Sequence, residues 1–294
     1  MNARFGPLVS AEEAAQHLDD PSWVFLDCRH DVADPKKGAR TFLVEHVKGA
    51  HHAHTDQDLS SPVGDGRRGR HPLPEPAAFV AWASGMGIGP ETRVVAYDDQ
   101  AGQWASRLWW LLRHYGHPHV AVLDGGLLRW KSLALPLGSK EEPPRKAADF
   151  KGSPGHMPTI DVSRVELDQE RGKGSYLLVD ARGSDRYRGE VEPIDKRAGH
   201  IPGAVSVPYA GNVGSDMRFL PPERLLERYE KGLGVQEVGR VACYCGSGVT
   251  APHDILAMEV AGMGTAALYP GSWSEWSWPE AERAIEAAPG SKAR

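Results

Sequence analysis

Apolar runs of four or five residues alternate along this chain with longer stretches in which polar positions recur. The runs at 23–27, 94–97 and 120–123 are short, bounded by polar residues and rich in branched side chains, which predicts buried strands. Between the second and third, residues 103–115 carry Leu108, Trp109, Leu111 and Leu112 at helical spacing and predict a helix. The later part repeats the arrangement, with strands expected at 176–179, 241–244 and 266–269 and helices near 222–230 and 250–261. Alternating strands and helices predict an α/β fold built on parallel sheet flanked by helices. In such sheets ligands bind beyond the carboxyl ends of the strands.

The pattern is a duplication. Phe25-Leu26-Asp27-Cys28-Arg29 echoes Leu178-Val179-Asp180-Ala181-Arg182, and Glu45-His46-Val47-Lys48-Gly49-Ala50 echoes Gly199-His200-Ile201-Pro202-Gly203-Ala204. Leu123-Asp124-Gly125-Gly126 with Trp130 echoes Tyr269-Pro270-Gly271-Ser272 with Trp276. The three pairs keep their order at a displacement of about 150 residues, as a tandem repeat does. Residues 137–158 carry Pro143, Pro144, Gly152, Pro154 and Gly155 among charges and read as a linker. The expected domains are therefore 1–136 and 159–294.

Composition narrows the class. The 294 residues leave room for two ordinary domains, and 40% hydrophobic with 25% charged residues is usual for a soluble globular chain. No apolar run approaches the ~20 residues of a membrane span, and the first residues lack the apolar core of a signal peptide. The net charge of −5 and the absence of long basic runs argue against nucleic acid. Arg67-Arg68-Gly69-Arg70 beside proline reads as a solvated loop. Three cysteines, Cys28, Cys243 and Cys245, form neither a disulfide framework nor a zinc spacing, so reduced thiols and a cytoplasmic location are expected. Cys28 and Cys243 read as buried structural residues. The histidines at 46, 51, 52 and 54 lack regular ligand spacing and a cysteine partner, so no metal is expected.

Chemistry concentrates at Cys245. The run Val241-Ala242-Cys243-Tyr244 ends at this thiol, passes Gly246-Ser247-Gly248-Val249 and opens into a helical pattern from Thr250. Gly246 and Gly248 permit the unusual dihedrals of a loop whose N–H groups turn inward. The helix behind it adds partial positive charge. Both favour thiolate, so Cys245 is the expected nucleophile. A cysteine phosphatase would need an arginine six residues on to clamp phosphate; that position is Ala251. Aligning Val94-Val95-Ala96-Tyr97-Asp98 with 241–245 places Asp98 where the thiol stands, and an aspartate offers no thiolate. The first half is expected to be catalytically silent.

Cys245-Gly246-Ser247-Gly248-Val249-Thr250-Ala251 resembles the active-site loop of the two-domain sulfurtransferases of the rhodanese superfamily, most closely their 3-mercaptopyruvate branch. Thiosulfate-preferring members carry basic residues at the positions of Gly246 and Ser247. The resemblance covers nearly the whole chain and implies two tandem rhodanese-like domains and sulfur transfer through a Cys245 persulfide. It implies no cofactor. The donor would be 3-mercaptopyruvate or thiosulfate, and the acceptor cyanide, a small thiol or a thioredoxin-like protein.

The same resemblance supplies the other candidates. Ser247 matches the serine of a proton relay in that branch; the alternative is a loop hydroxyl satisfying its own backbone. Asp56 and His71 match the relay's aspartate and histidine, each with a surface loop as the alternative. Arg186 falls on an arginine that binds the donor's carboxylate or sulfonate, with Arg197 or its rival Arg188 as a second. Gly246, Gly248, Val249 and Thr250 are expected to surround the transferred sulfur. Trp273 and Trp276 could roof the pocket, although core packing suits them as well. A second class of function is a persulfide carrier or redox-sensing module, which would present an exposed loop.

Overall fold

In the computed structural model, residues 5–171, 174–234 and 237–288 are described. The chain divides into two compact units. The first holds residues 1–61, 73–157 and 213–219, and the second holds 62–72, 158–212 and 220–294.

The first unit runs β1 (Leu8–Val9), α1 (Ala11–Ala14), β2 (Trp23–Asp27), α2 (Lys37–Val44), β3 (His46–Val47), β4 (His51–His52), α3 (Pro76–Gly85), β5 (Arg93–Tyr97), α4 (Ala105–His114), β6 (Val120–Leu123), α5 (Gly126–Ser132) and β7 (Leu137–Gly138). Five strands form a wholly parallel sheet in the order β1-β6-β5-β2-β4. The apolar runs at 23–27, 94–97 and 120–123 are its centre. Helix α4 is buried almost all round, which explains why its tryptophans and leucines do not confine themselves to one stripe. Phe25, Val95, Leu123 and Trp130 pack in one core cluster, each contributing about 1.5–3 kcal/mol of transfer free energy. Strand β7 falls inside the stretch read as a linker: it pairs antiparallel with β3.

The second unit runs α6 (Val162–Glu170), β8 (Leu177–Asp180), α7 (Ser184–Tyr187), β9 (Val205–Ser206), α8 (Pro222–Leu233), β10 (Val241–Tyr244), α9 (Ala251–Val260), β11 (Ala267–Leu268) and α10 (Ser272–Trp276). Its sheet is also parallel, in the order β11-β10-β8-β9. Asp161 caps α6 by accepting the Arg164 N–H at 2.9 Å. Leu225, Tyr229 and Leu233 bury one stripe of α8. Trp273 and Trp276 belong to this unit's core cluster, which settles them as packing residues.

The repeated sequence signatures turn out to be matching braces. In the first unit Arg29 forks onto Asp27 (2.7 and 3.0 Å) and reaches the Glu45 carbonyl at 2.7 Å. In the second, Arg182 forks onto Asp180 (2.7 and 3.0 Å) and reaches the Gly199 carbonyl at 2.6 Å. His46 and His200 likewise bond the carbonyls of Phe42 and Tyr187, both at 2.7 Å, and stack on those rings. These buried ion pairs tie each strand end to the loop that follows it, where removing one partner would strand a charge. Among the described residues no helix is long and apolar enough to cross a membrane.

Candidate active site

Cys245 follows the last residue of β10, and its backbone is held on both sides. Its N–H donates to Ser272 Oγ at 3.2 Å, and its carbonyl accepts the Trp273 N–H at 3.0 Å. The next carbonyl, of Gly246, accepts the Ser274 N–H at 2.9 Å. The chain then turns back so that the Thr250 N–H points at Cys245 Sγ, 3.3 Å away. That donor opens α9, so the thiol sits at a helix N-terminus. The side chain is only 3% exposed, unlike the exposed loop that a carrier module would present. Cys28 and Cys243 are fully buried, and burial pushes both thiols well above the usual range. They stay protonated and unreactive.

The two loop glycines do different work. Gly248 adopts φ +77°, and a Cβ there would lie 2.2 Å from the Pro270 carbonyl oxygen. Only glycine fits. Gly246 has no such backbone conformation; it leaves space instead. A Cβ on it would stand 3.0 Å from one guanidinium nitrogen of Arg70 and 3.6 Å from one of Arg186. Two cations therefore lie over the start of the loop. Val249 is buried within it.

Ser247 and His71 meet. His71 Nδ1 stands 2.7 Å from Ser247 Oγ, with both residues 7% exposed. Asp56 lies in the first unit, where its carboxylate is 3.8 Å from His30 Nε2. Arg186, at the end of the single-turn α7, donates to Glu192 at 2.7 and 3.2 Å and to Asp195 at 3.3 Å. Arg197 donates to the Arg283 carbonyl at 3.0 Å, and its own carbonyl accepts the Trp273 indole N–H. Arg188 is exposed and paired with Glu190.

Arg70 is the residue that sequence reasoning passed over. Instead of lying free in a solvated basic loop, it belongs to the second unit and is ion-paired with Asp195. Its backbone N–H donates to Ser274 Oγ at 3.1 Å, the same serine whose N–H holds the Gly246 carbonyl. The one available signal was position, since Arg70 directly precedes His71.

In the first unit, the corresponding loop is filled by its own anion. The Asp98 carboxylate accepts the N–H groups of Gln100, Gly102, Trp104 and Ala105 at 2.7–2.9 Å. It is fully buried, and burial raises its pKa while those four bonds oppose the rise.

A thiol in an inward-facing loop, repeated in degenerate form in the other half, is a family signature. Residues 10–133 and 163–278 each match the rhodanese-like domain. The chain belongs to the rhodanese family. It is 45% identical to the “Probable 3-mercaptopyruvate sulfurtransferase” of Pseudomonas aeruginosa, over 92% of this chain and 94% of that one. A Mycobacterium tuberculosis protein named for thiosulfate sulfurtransferase activity, SseB, is 38% identical over 94% of this chain and 96% of its own length. Among solved structures, the 3-mercaptopyruvate sulfurtransferase from Leishmania major superposes with a TM-score of 0.82 at 30% identity, covering 94% of this chain and 75% of that one. The protein is thus a rhodanese-family sulfurtransferase with two rhodanese-like domains, an enzyme that takes sulfur from a donor and passes it to an acceptor, and a persulfide on cysteine fits that family.

Proposed function

We propose that this sulfurtransferase takes its sulfur from 3-mercaptopyruvate and that Cys245 carries it. The observation that supports this reading most is the Ser247–His71 contact of 2.7 Å beside a buried Cys245. A donor whose leaving group is an enolate needs a proton at carbon; one that leaves as sulfite does not. A paired hydroxyl and imidazole next to the thiol suit the first.

The Cys245 thiolate attacks the donor sulfur. A sulfur–sulfur bond forms, the donor's carbon–sulfur bond breaks, and its electron pair stays on carbon as the enolate of pyruvate. Ser247 delivers a proton to that carbon and is reprotonated through His71, with Asp56 completing the relay as the family resemblance suggests. The loop N–H groups, that of Thr250 foremost, hold the negative charge of the persulfide. A thiolate or cyanide then attacks the outer sulfur, the sulfur–sulfur bond breaks, and Cys245 regains its thiolate. Cyanide, a small thiol or a thioredoxin-like protein are the acceptors this proposal names, in the cytoplasm. The first domain (1–136) has no nucleophile of its own because Asp98 stands in its loop; the second (159–294), beyond the 137–158 linker, carries Cys245.

Thiosulfate as the main donor is the second reading, favoured by the two guanidinium groups above Gly246. Steady-state transfer to cyanide from each donor, with Cys245→Ser as control, separates the two. Preference for mercaptopyruvate that is abolished in Cys245→Ser supports the first. Preference for thiosulfate overturns the donor assignment and the relay.

A further inference from the structure

The first unit holds a group of side chains that sulfur transfer at Cys245 does not use. Its sheet ends at the edge strand β4, which is His51–His52, two of the four histidines that cluster in the sequence. Beside this edge lies a cavity of about 440 Å³, within the size range of small-molecule sites. Phe42 and Leu43 of α2 and Met86 at the end of α3 form its apolar walls. Residues 140–148 run from one helix to the other. The Lys140 N–H donates to the Leu43 carbonyl at 2.8 Å, and the Ala148 N–H to the Ser84 carbonyl at 2.9 Å. Glu141, Glu142 and Arg145 of that segment complete the lining.

The polar groups that meet there leave one cation without an acid. Glu142 is already used: His46 Nε2 stands 3.2 Å from its Oε1, and the Gly49 N–H donates to the same oxygen at 3.1 Å. Glu141 is exposed at the rim, where water screens it. Arg145 makes no ion pair among the described residues. Its Nη2 donates to the Pro21 carbonyl at 3.0 Å, and burial lowers its pKa. His51 forms no hydrogen bond among the described residues. Burial, and then the charge of Arg145, holds His51 below the usual histidine range. It is a neutral imidazole with one donor and one acceptor to offer. His52 commits one nitrogen, Nε2, to the Arg29 carbonyl at 3.2 Å.

We propose that this cavity binds a small aromatic carboxylate, with its charge on Arg145 and its ring between Phe42, Leu43 and Met86. Apolar walls with a few convergent polar groups suit such a ligand, and a guanidinium takes a carboxylate in a bidentate pair. The anion would supply the partner that the fold withholds from a part-buried cation. A cationic ligand would meet Arg145 with like charge, and an uncharged one would leave it unpaired. The cavity belongs to the first unit and Cys245 to the second, so occupancy and turnover can be measured separately.

The test titrates naphthalene-2-carboxylate into the full chain by calorimetry. The same titration is run on Arg145→Met, Arg145→Lys and Ala39→Phe, Ala39 standing on α2 at the cavity wall. Saturable binding to the natural chain is expected. Arg145→Met weakens it about tenfold or more, as loss of a hydrogen bond to a charged group does. Arg145→Lys recovers part of that loss, and Ala39→Phe, which fills the space, abolishes binding. The uncharged naphthalene-2-methanol binds the natural chain about as weakly as the carboxylate binds Arg145→Met. Unfolding midpoints and sulfur transfer to cyanide stay at the natural level in these variants, which separates a lost site from a lost fold. Absence of saturable binding to the natural chain overturns the proposal, as does equal carboxylate affinity in Arg145→Met. It falls too if Ala39→Phe still binds the carboxylate and pyruvate displaces it, because the ligand then sits where the sulfur donor does.

Discussion

His71 Nδ1 stands 2.7 Å from Ser247 Oγ although 176 residues separate them in the chain. Two groups in one proton path act as a unit, and removing either removes most of what the pair supplies. Ser247→Ala and His71→Ala should each lower kcat with mercaptopyruvate about a hundredfold, and the double variant should be little worse than either. Thiosulfate turnover, which needs no proton at the leaving group, should fall much less. A double-mutant cycle with both donors reads the coupling directly; strictly additive losses would show that the contact is structural.

Gly248 should not tolerate a side chain. Its φ of +77° alone costs a non-glycine residue about 1–2 kcal/mol, and the added Cβ would lie 2.2 Å from the Pro270 carbonyl oxygen. Gly248→Ala should lower the unfolding midpoint and abolish accumulation of the Cys245 persulfide. Thermal unfolding and intact-protein mass spectrometry after exposure to donor measure the two effects.

Asp98→Ala should destabilise without touching the chemistry. It strips a buried acceptor from four backbone N–H groups, and each unsatisfied donor costs about 1–3 kcal/mol. A loss of at least about 3 kcal/mol in denaturant unfolding is expected, with kcat retained at a temperature where the variant is folded. A fall in kcat instead would show that the Asp98 loop itself takes part in turnover.

Asp254 makes stability depend on pH. It is fully buried in α9, its Oδ1 accepts from Asn212 at 2.7 Å and Tyr229 at 2.9 Å, and burial raises its pKa to about 7. The folded carboxyl therefore keeps its proton up to that pH, whereas the unfolded one loses it from 3.8 upward. In that window the unfolded state binds fewer protons, so this residue's contribution falls as pH rises. Asp254→Asn keeps an oxygen for both donors and lacks the titration. Relative to the natural chain it should gain about 2–3 kcal/mol between pH 5 and pH 8 in chemical denaturation. A constant difference across that range would show that Asp254 does not titrate there.

The duplication was legible because its echoes are local strings that fold the same way twice. Asp27-x-Arg29 and Asp180-x-Arg182 both make a forked pair at a strand end, and His46 and His200 both bond a carbonyl of the helix that follows it. The loop around Cys245 was legible because strand, glycine-rich turn and helix follow each other without a gap. Helices α2, α3 and α5 escaped periodicity; α3 is apolar all round and α5 is only seven residues, so neither shows a clean stripe. Strands β4, β7 and β9 are two residues long, below what any alternation can reveal.

The sequence alone determined the α/β duplication, the thiol at the end of β10 and the aspartate in its place in the first half. Each follows from neighbours within a few residues, where propensity and steric rules act directly. Only the tertiary structure brings Arg70 to Asp195 beside Arg186. Arg70 and Asp195 are 125 residues apart, and no rule of spacing brings them together. Their meeting depends on where residues 62–72 pack, which is set by burial and hydrogen bonding summed over many distant residues. Arg197, much nearer to Arg186 in the sequence, donates to the Arg283 carbonyl.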